Sequence, residues 1–293
     1  MEIQARQGLS EQDLHDIRIL ADICDALDGI KLKLNWISLQ TRSAQETNDF
    51  LIYDNGDLIG YLGIYSFQVS EAEISGMIHP LYRKRGLFTK LVDAAVEECR
   101  RREFGRILFI NHHRSTSGQA FLLARGTTYK VSEHWMRCER TESDLNGASI
   151  PGMIEEAVYL RSASVEDKEL LIQLNMAGFA MEEFDSREYV ERTISSPLEY
   201  TFIAEAQGQP IAKLGVTYEE GSAFIYGFCV SPQQRGRGYG RRILVELMNM
   251  LQREQGRSRF ELEVAVENAR ALSIYEDCGF RVISANDYYE LKL

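Results

Sequence analysis

The sequence is poor in residues that bind metals or form cross-links. Its 293 residues include five histidines and five cysteines, without a Cys-x-x-Cys pair or a His/Cys spacing typical of a metal site. We therefore expect no metal. Cysteines without paired spacing are typical of proteins in a reducing compartment, so we expect a cytoplasmic location.

Long apolar runs and excess positive charge are also missing. No apolar stretch approaches the roughly 20 residues of a membrane-spanning helix, and the charged N-terminus lacks a signal-peptide core, so we expect no membrane partner. With 33 basic and 44 acidic residues the net charge is −11, which argues against a nucleic-acid partner. A composition of 44% hydrophobic and 26% charged residues is that of an ordinary globular chain.

The most informative feature is a basic, glycine-rich stretch at residues 230–240. The apolar run before it predicts a strand, and apolar residues at helical spacing after it predict a helix. Free backbone N–H groups and the positive end of the helix dipole would meet there, which predicts an anion site. Gly238 and Gly240 would let a phosphate approach the backbone closely. The spacing fits neither the Rossmann nor the Walker pattern, and a solvated turn is the alternative.

An internal repeat relates the two halves of the chain. Three residues of the loop recur at a constant separation of 152 positions, and so does a predicted hairpin turn, Asn55-Gly56 in the first half and Gly208 in the second. The polar segment 141–151 then predicts a linker between domains 1–145 and 152–293. The repeated loop residues are Pro80 and Pro232, Arg83 and Arg235, and Gly86 and Gly238.

The second half resembles the GNAT acetyltransferase superfamily. The family's acetyl-CoA motif, Arg/Gln-x-x-Gly-x-Gly/Ala after the fourth strand, is similar to Arg235, Gly238 and Gly240. A second family motif reads strand, Asn, helix, Tyr and Gly-Phe, and the repeat extends the resemblance to the first half. The residues that match the second motif are Leu262, Glu263, Val264, Asn268, Ala271, Tyr275, Gly279 and Phe280.

The resemblance implies a fold, a cosubstrate and a site. The fold would be α/β, with two tandem GNAT-like domains, each a mixed, mostly antiparallel sheet flanked by helices. Acetyl-CoA would lie where the fourth and fifth strands of the second domain diverge, with Tyr275 as the acid that protonates the departing thiolate. The alternative for Tyr275 is a packed core residue, and for Asn268 it is a helix cap alone. The implied cofactor-binding residues are Phe228, Cys229, Val230, Arg235, Gly236, Arg237, Gly238, Tyr239, Gly240, Arg241 and Asn268.

The general base is left open by the sequence. Many family members place a glutamate on the fourth strand, and Tyr226 takes that position here, with a core aromatic as the alternative. No histidine follows His134, so the second domain has no histidine base. A solvated turn or strand face is the alternative for each of the remaining carboxylate candidates. They are Glu219, Glu220, Glu261 and Glu263.

The first domain departs from the family pattern at the chemical positions. Phe88 stands where the second domain has Gly240. On the register that aligns Gly126 with Gly279, Ser115 replaces the asparagine and Leu122 replaces the tyrosine. A leucine cannot protonate a thiolate, so we expect the first domain to be degenerate, as in tandem family members with unequal halves.

These observations predict an enzyme that moves an acetyl group from acetyl-CoA to an amine, with a small molecule as the expected acceptor. The aromatic and acidic segment 178–185 could receive a cationic amine, or be a solvated helix. A non-catalytic acyl-CoA sensor is the alternative function. Acceptor identity and oligomeric state are left open by the sequence.

Overall fold

A computed structural model describes residues 2–42, 44–68, 70–146, 150–219 and 221–293. The chain forms two compact units. The first consists of Met1–Ser132 together with Ala285–Leu293, and the second of Glu133–Ser284. Within the described residues, no helix is long and apolar enough to cross a membrane.

The first unit begins with a short strand and two helices and continues as an antiparallel meander. A parallel step between β4 and β5 follows, with α3 as the crossover. Its elements are β1 (Ile3–Arg6), α1 (Glu11–Asp28), α2 (Trp36–Thr41), β2 (Asp49–Asp54), β3 (Asp57–Gln68), β4 (Glu71–Ile78), α3 (Leu87–Arg101), β5 (Arg106–His112) and α4 (Thr116–Ala124).

The second unit repeats this order. Its parallel pair, β10 and β11, has α7 as the crossover, and its remaining strand pairs are antiparallel. The predicted fold, a mixed and mostly antiparallel sheet with helices in each half, is confirmed. The elements are β7 (Tyr159–Ser162), α5 (Lys168–Phe179), α6 (Glu183–Ser195), β8 (Glu199–Ala206), β9 (Gln209–Glu219), β10 (Ser222–Val230), α7 (Tyr239–Gln255), β11 (Arg259–Ala265) and α8 (Ala269–Asp277).

Each unit takes its last strand from a distant part of the chain. Strand β6 (Thr128–Glu139) begins in the first unit, but its residues 133–139 pair with β11 of the second. Strand β12 (Arg281–Lys292) returns, and its residues 286–292 pair with β5 of the first unit. The compact units therefore divide the chain at 132/133 and 284/285. The domain boundaries expected from the sequence repeat, 1–145 and 152–293, stay a prediction.

The repeat is visible in the backbone. Both hairpin turns have two residues in the left-handed region, Asn55 and Gly56 at φ 51° and 95° and Gln207 and Gly208 at φ 51° and 71°. Two such residues are typical of the tight turn that connects twisted antiparallel strands. Capping boxes also occur in both halves, and they are made by Ser10 with Asp13 and by Ser164 with Asp167.

The core of the second unit lies between the sheet and α7. Apolar side chains at helical spacing on α7 are almost completely buried against β8 to β11, as their spacing predicts. Part of the segment predicted as a linker, residues 147–149, lies outside the described residues. Ile150 and Ile154 beyond it pack on the same core. The buried residues of α7 are Ile243, Leu244, Leu247, Met248 and Leu251.

Candidate active site

Strands β10 and β11 separate halfway along their length. The parallel ladder joins residues 222–225 of β10 to residues 259–262 of β11 and ends there. The rest of β10, from Tyr226 to Val230, keeps only its pairing with β9, which borders β10 from Ser222 onward. The diverging pair leaves backbone groups of β10 free to bind a ligand, which is the arrangement that the resemblance implies.

A β-bulge turns the backbone at this point. Tyr226 pairs with Gly215 and Cys229 with Lys213, so two residues of β10, Gly227 and Phe228, oppose the single residue between them on β9. Gly227 has φ 55°, a left-handed conformation that favours glycine. Bulges re-aim backbone and side-chain groups and often lie beside active sites.

The loop after β10 is held by one of its own arginines. The Arg235 guanidinium donates to the carbonyls of Val230, at 2.9 Å, and Ala177, at 3.1 Å. Arg241 binds Asp277 with its Nε at 2.8 Å. These two side chains therefore brace the loop, whereas the Arg237 side chain is exposed.

Backbone amides of the loop can receive an anion. The first helical hydrogen bond of α7 is donated by Arg242 to the Gly238 carbonyl, so the amides from Gly236 to Gly240 precede the bonded part of the helix. Gly236 and Gly238 have φ 82° and 90°. Left-handed glycines and free amides at a helix N-terminus suit a pyrophosphate, so these residues fit acetyl-CoA.

Gly238 is also packed against the chain. A methyl group there would lie 2.5 Å from the Gly152 carbonyl oxygen and 2.8 Å from the Ile154 amide nitrogen. The Tyr239 hydroxyl donates to Glu156 of the same segment, at 2.5 Å. A substitution of Gly238 would therefore displace residues 152–156 as well as alter the loop. By contrast, a methyl group on Gly236 would meet only the Arg270 guanidinium, at 3.8 Å.

Asn268 and Tyr275 lie on the helix after β11. The Asn268 amide oxygen accepts a hydrogen bond from the backbone of Ala271, so Asn268 caps α8. Tyr275 packs edge-on against Phe280, with ring centroids 6.1 Å apart, and burial raises the pKa of Tyr275 to about 12. Its phenol is therefore fully protonated at neutral pH. A CoA contact by Asn268 and the acid role of Tyr275 stay predictions.

A small cavity lies beside the bulge, between helices α5 and α6 and strands β8 to β10. It has room for about one water molecule. Two polar side chains on its wall are buried without an obvious reason. They are Lys213, which is 4% exposed, and Asn175, whose amide oxygen and nitrogen have no hydrogen-bond partner. The lining residues are Leu171, Asn175, Tyr189, Val190, Thr193, Thr201, Lys213, Gly215 and Tyr226.

Tyr226 forms one wall of this cavity. Its hydroxyl donates to a Glu199 carboxylate oxygen at 3.2 Å, and its ring lies against Gly215, where a methyl group would come within 2.4 Å of it. Burial, Tyr189 and Glu199 raise the pKa of Tyr226 far above its usual value. A base role for Tyr226 stays a prediction, and the raised pKa weighs against it because the phenol has no tendency to ionise.

The other candidate carboxylates are differently placed. Glu261 is buried and accepts hydrogen bonds from Trp135 and Arg137 of β6, both at 2.9 Å, so it ties β11 to its neighbour. Glu219 and Glu263 do not line the cavity. Glu220 lies outside the described residues.

The corresponding place in the first unit is closed. Tyr61, 152 positions before Lys213, is completely buried and donates to Asp49 at 2.7 Å. Arg42 binds the same carboxylate oxygen, also at 2.7 Å. Strand β4 pairs with β3 without a bulge from Glu73 to Ile78.

Aromatic and aliphatic side chains also fill the first unit's motif positions. Phe88 packs on Phe121 with ring centroids 5.0 Å apart, and Leu122 is in the core. Ser115 caps α4, as Asn268 caps α8.

Sequence reasoning missed three residues of the second unit: Gly227, Lys213 and Asn175. A lysine within the apolar run 211–216 was the available signal, because a charged residue is rarely buried unless it is paired. The two others gave no signal, since neither the φ of a glycine nor an unsatisfied amide can be read from sequence.

The fold is that of a CoA-dependent acyltransferase, and the candidate site has a splayed parallel pair, a bulge and a helix N-terminus whose free amides fit an anion. The acetyltransferase (GNAT) family model matches residues 20–123 and 169–280. The chain belongs to that family, and both halves carry its domain.

Relatives and solved structures of similar length support membership of this family. The mycothiol acetyltransferase of Kineococcus radiotolerans is 28% identical over 280 residues, which cover 92% of this chain and 90% of the relative. The structure of a GCN5-related N-acetyltransferase from Sphaerobacter thermophilus has TM-score 0.75 at 18% identity and covers 99% of this chain and 95% of its own. A tandem GNAT protein from the clavulanic acid biosynthesis pathway has TM-score 0.71 at 15% identity, with coverage of 99% and 98%.

The protein is an acetyl-CoA-dependent N-acetyltransferase with a tandem arrangement of two family domains. The predicted transfer of an acetyl group from acetyl-CoA to an amine is thereby confirmed. The alternative of a non-catalytic sensor is not favoured.

Proposed function

We propose that the second unit carries out the acetyl transfer and that the acceptor is the amine of a small molecule. The observation that supports this assignment is the bulge at Gly227 and Phe228, beside a strand pair that diverges. The first unit has the same strand pair without the bulge at that point.

Backbone groups would hold the cosubstrate. Phe228, Cys229 and Val230 on the free part of β10 would pair with the pantetheine arm, and the amides from Gly236 to Gly240 would receive the pyrophosphate. Acetyl-CoA supplies the thioester when bound. Arg237 and Arg270 are exposed, and the Arg270 guanidinium lies close to Gly236. Both side chains would add positive charge at the loop. Alignment of this kind can lower a barrier by about 7–11 kcal/mol.

Tyr275 would act as the acid. A departing thiolate is protonated most readily by a group that keeps its proton until the carbon–sulfur bond breaks. The pKa of about 12 ensures that the Tyr275 phenol carries this proton across the physiological range. Its half-buried side chain packs on the Phe280 ring and on the core of the second unit, and within the described residues its hydroxyl makes no hydrogen bond, which leaves the hydroxyl available.

The acceptor side favours a small substrate. The cavity beside the bulge has room for about one water molecule, so it could admit the amino group of a small acceptor but not a folded protein surface. Curated relatives of nearly the same length act on a small molecule by their name, mycothiol acetyltransferase. A mycothiol-type amine is therefore the acceptor class that we propose.

A turnover assay tests this function. The release of free CoA thiol from acetyl-CoA would be followed with glucosamine, L-alaninamide and putrescine as probe amines, and acetylated products identified by mass spectrometry. We expect acetylation of at least one amine, and the same release without an amine should be slow. Tight acetyl-CoA binding without transfer to any amine would contradict the proposal.

A further inference from the structure

Lys213 is a buried amine without a counter-ion. It is 4% exposed, and in the described part of the chain no hydrogen-bond acceptor or carboxylate contacts its Nζ. Its ammonium lies over two aromatic rings, 5.2 Å from the centroid of Phe179 and 5.4 Å from that of Tyr189. A buried cation that has only ring faces for stabilisation is under strong pressure to lose its proton.

The amine is directed at the bulge. Lys213 Nζ lies 3.1 Å from the position that a Cβ atom would take on Gly227. The proposed function pairs the pantetheine arm with Phe228, Cys229 and Val230, so the thioester at the end of that arm would lie beside the bulge. The attacking amine must therefore come close to the Lys213 side chain.

Other groups around Lys213 do not compete for the proton. Tyr189 and Tyr226 hold their own protons firmly, because burial raises the pKa of each far above its usual value. Burial lowers the pKa of Lys213 from 10.5 to about 8, and the opposite residue, Cys229, acts in the other direction. The titratable and charged groups that act on Lys213 or on the two tyrosines beside it are Tyr189 and Arg192 of α6, Glu199 of β8, and Tyr226 and Cys229 of β10.

We propose that Lys213 is the general base of the reaction and that it accepts the proton which the acceptor ammonium must lose before attack. This inference rests on the proposed function of the second unit. Among the cavity-lining residues, Lys213 is the one that can exist as a free base near neutral pH. A lysine whose pKa is lowered by burial can act as a general base.

The acceptor R–NH3⁺ gives one proton to the neutral Lys213 amine, which becomes an ammonium. The freed nitrogen lone pair forms the N–C bond with the acetyl carbon, the C–S bond breaks, and the thiolate takes a proton from the Tyr275 phenol. The amide nitrogen releases its remaining extra proton to water, and Lys213 and Tyr275 return to their starting states by exchange with solvent.

Asn175 supports this role. Its side chain is 1% exposed, lines the same cavity, and leaves both amide atoms without a hydrogen bond. Buried polar groups in a folded protein normally find a partner. The amide oxygen of Asn175 is free to accept a hydrogen bond from the acceptor nitrogen, which would position the amine for proton transfer. Asn175 is thus a positioning residue for the same reaction.

The first test is the pH profile of turnover with saturating acetyl-CoA and the fastest of the three probe amines. In the wild type, kcat/KM should rise with pH to an apparent pKa near 8. Lys213→Met keeps an unbranched side chain, one atom shorter, but removes the base. We expect this variant to lower kcat by about 10²–10⁴-fold and to abolish the rise of kcat/KM with pH. Its affinity for acetyl-CoA, measured by calorimetry, should change little.

Chemical rescue separates a base from a structural amine. Lys213→Cys, alkylated with 2-bromoethylamine, regains an amine of lower pKa on a side chain with sulfur in place of one methylene. The five native cysteines are buried, as is position 213, so wild type treated in the same way is the control. Recovered turnover supports the proposal if the rise of kcat/KM with pH also moves to lower pH. A Lys213→Met variant that keeps the wild-type kcat and the rise of kcat/KM with pH overturns the proposal.

A second measurement needs no acceptor. The Cε resonance of Lys213 in protein labelled with ¹³C-lysine, assigned by its loss in Lys213→Met, should titrate well below the other lysines. Titration above pH 9.5 would overturn the base assignment even if turnover is observed. Titration near 8 in a protein that acetylates none of the probes would instead count against the proposed function alone.

Discussion

Lys213 lies directly opposite Cys229 in the ladder between β9 and β10, immediately beyond the bulge at Gly227 and Phe228. The same register brings a lysine side chain into an enclosed cavity, where burial is unfavourable for its charge. Stability and function should therefore conflict at this residue.

Removal of the Lys213 charge should stabilise the protein at neutral pH. The pKa of Lys213 is 10.5 in the unfolded chain and about 8 in the folded one, so below pH 8 the folded state bears the full cost of a buried ammonium, on the order of 3 kcal/mol. Between pH 8 and 10.5 the unfolded chain binds more protons, and stability rises with pH. We expect Lys213→Met to unfold at higher urea than wild type at pH 7, with the difference shrinking toward pH 10.

Lys168→Met is the matched control, because Lys168 is a partly exposed lysine of the same unit. The Lys168→Met variant should show no pH-dependent gain in stability against urea. A Lys213→Met variant with wild-type urea midpoints at both pH values would mean that Lys213 is solvated.

Substitution of Gly227 tests the bulge. An alanine there would adopt φ 55° and bring its methyl group to 3.1 Å from Lys213 Nζ. We expect Gly227→Ala to lose about 1 kcal/mol of stability and more than tenfold in kcat, measured by acetylation of the probe amine. Gly208→Ala imposes similar backbone strain at φ 71° in open surroundings and should lose stability alone. Equal kcat in the two variants would remove the bulge from the mechanism.

Tyr275→Phe tests the acid. The ring and its contact with Phe280 are kept, and only the phenolic proton is lost. We expect kcat to fall by about 10²–10⁴-fold, with unchanged acetyl-CoA affinity because the hydroxyl acts mainly in the transition state. Tyr200→Phe, on β8 and 44% exposed, is the control. Single-turnover rates like those of wild type would leave Tyr275 as a packing residue.

Substitution of one glycine in each unit tests which of the two loops binds acetyl-CoA. Gly236→Ala adds a methyl group near the free amides, with only Arg270 close by, and should raise the KM for acetyl-CoA about tenfold, equivalent to about 1.4 kcal/mol. Gly86→Ala strains the first unit's loop at φ 75°, also in open space. It should leave KM and kcat unchanged. A loss of turnover in Gly86→Ala with an intact fold would move catalysis to the first unit.

Much of the fold could be predicted because it depends on local pattern. Asn55-Gly56 and Gly208 indicate tight turns by residue type, and the common offset of Arg83 and Arg235 reveals the repeat. The exchange of β6 and β12 could not be predicted, because strand pairing between distant segments leaves no periodic trace in the sequence.

The site was predictable where chemistry depends on residue type and hidden where it depends on geometry. Gly238 and Gly240 indicate an anion site by composition alone. The bulge depends on the φ of Gly227, and the cavity depends on which side chains of α5 and β9 face each other. Asn175 and Lys213 meet there through tertiary packing, which motif spacing does not encode.

A crystal structure of the protein with acetyl-CoA is the most direct test of the central claim, that the bulged strand of the second unit is the catalytic one. The account predicts the thioester carbonyl at about 3 Å from a backbone amide next to Gly227, and the pyrophosphate on the amides from Gly236 to Gly240. It also predicts no thioester beside β4. A thioester bound along β4, with the loop after β10 free of phosphate, would contradict the account.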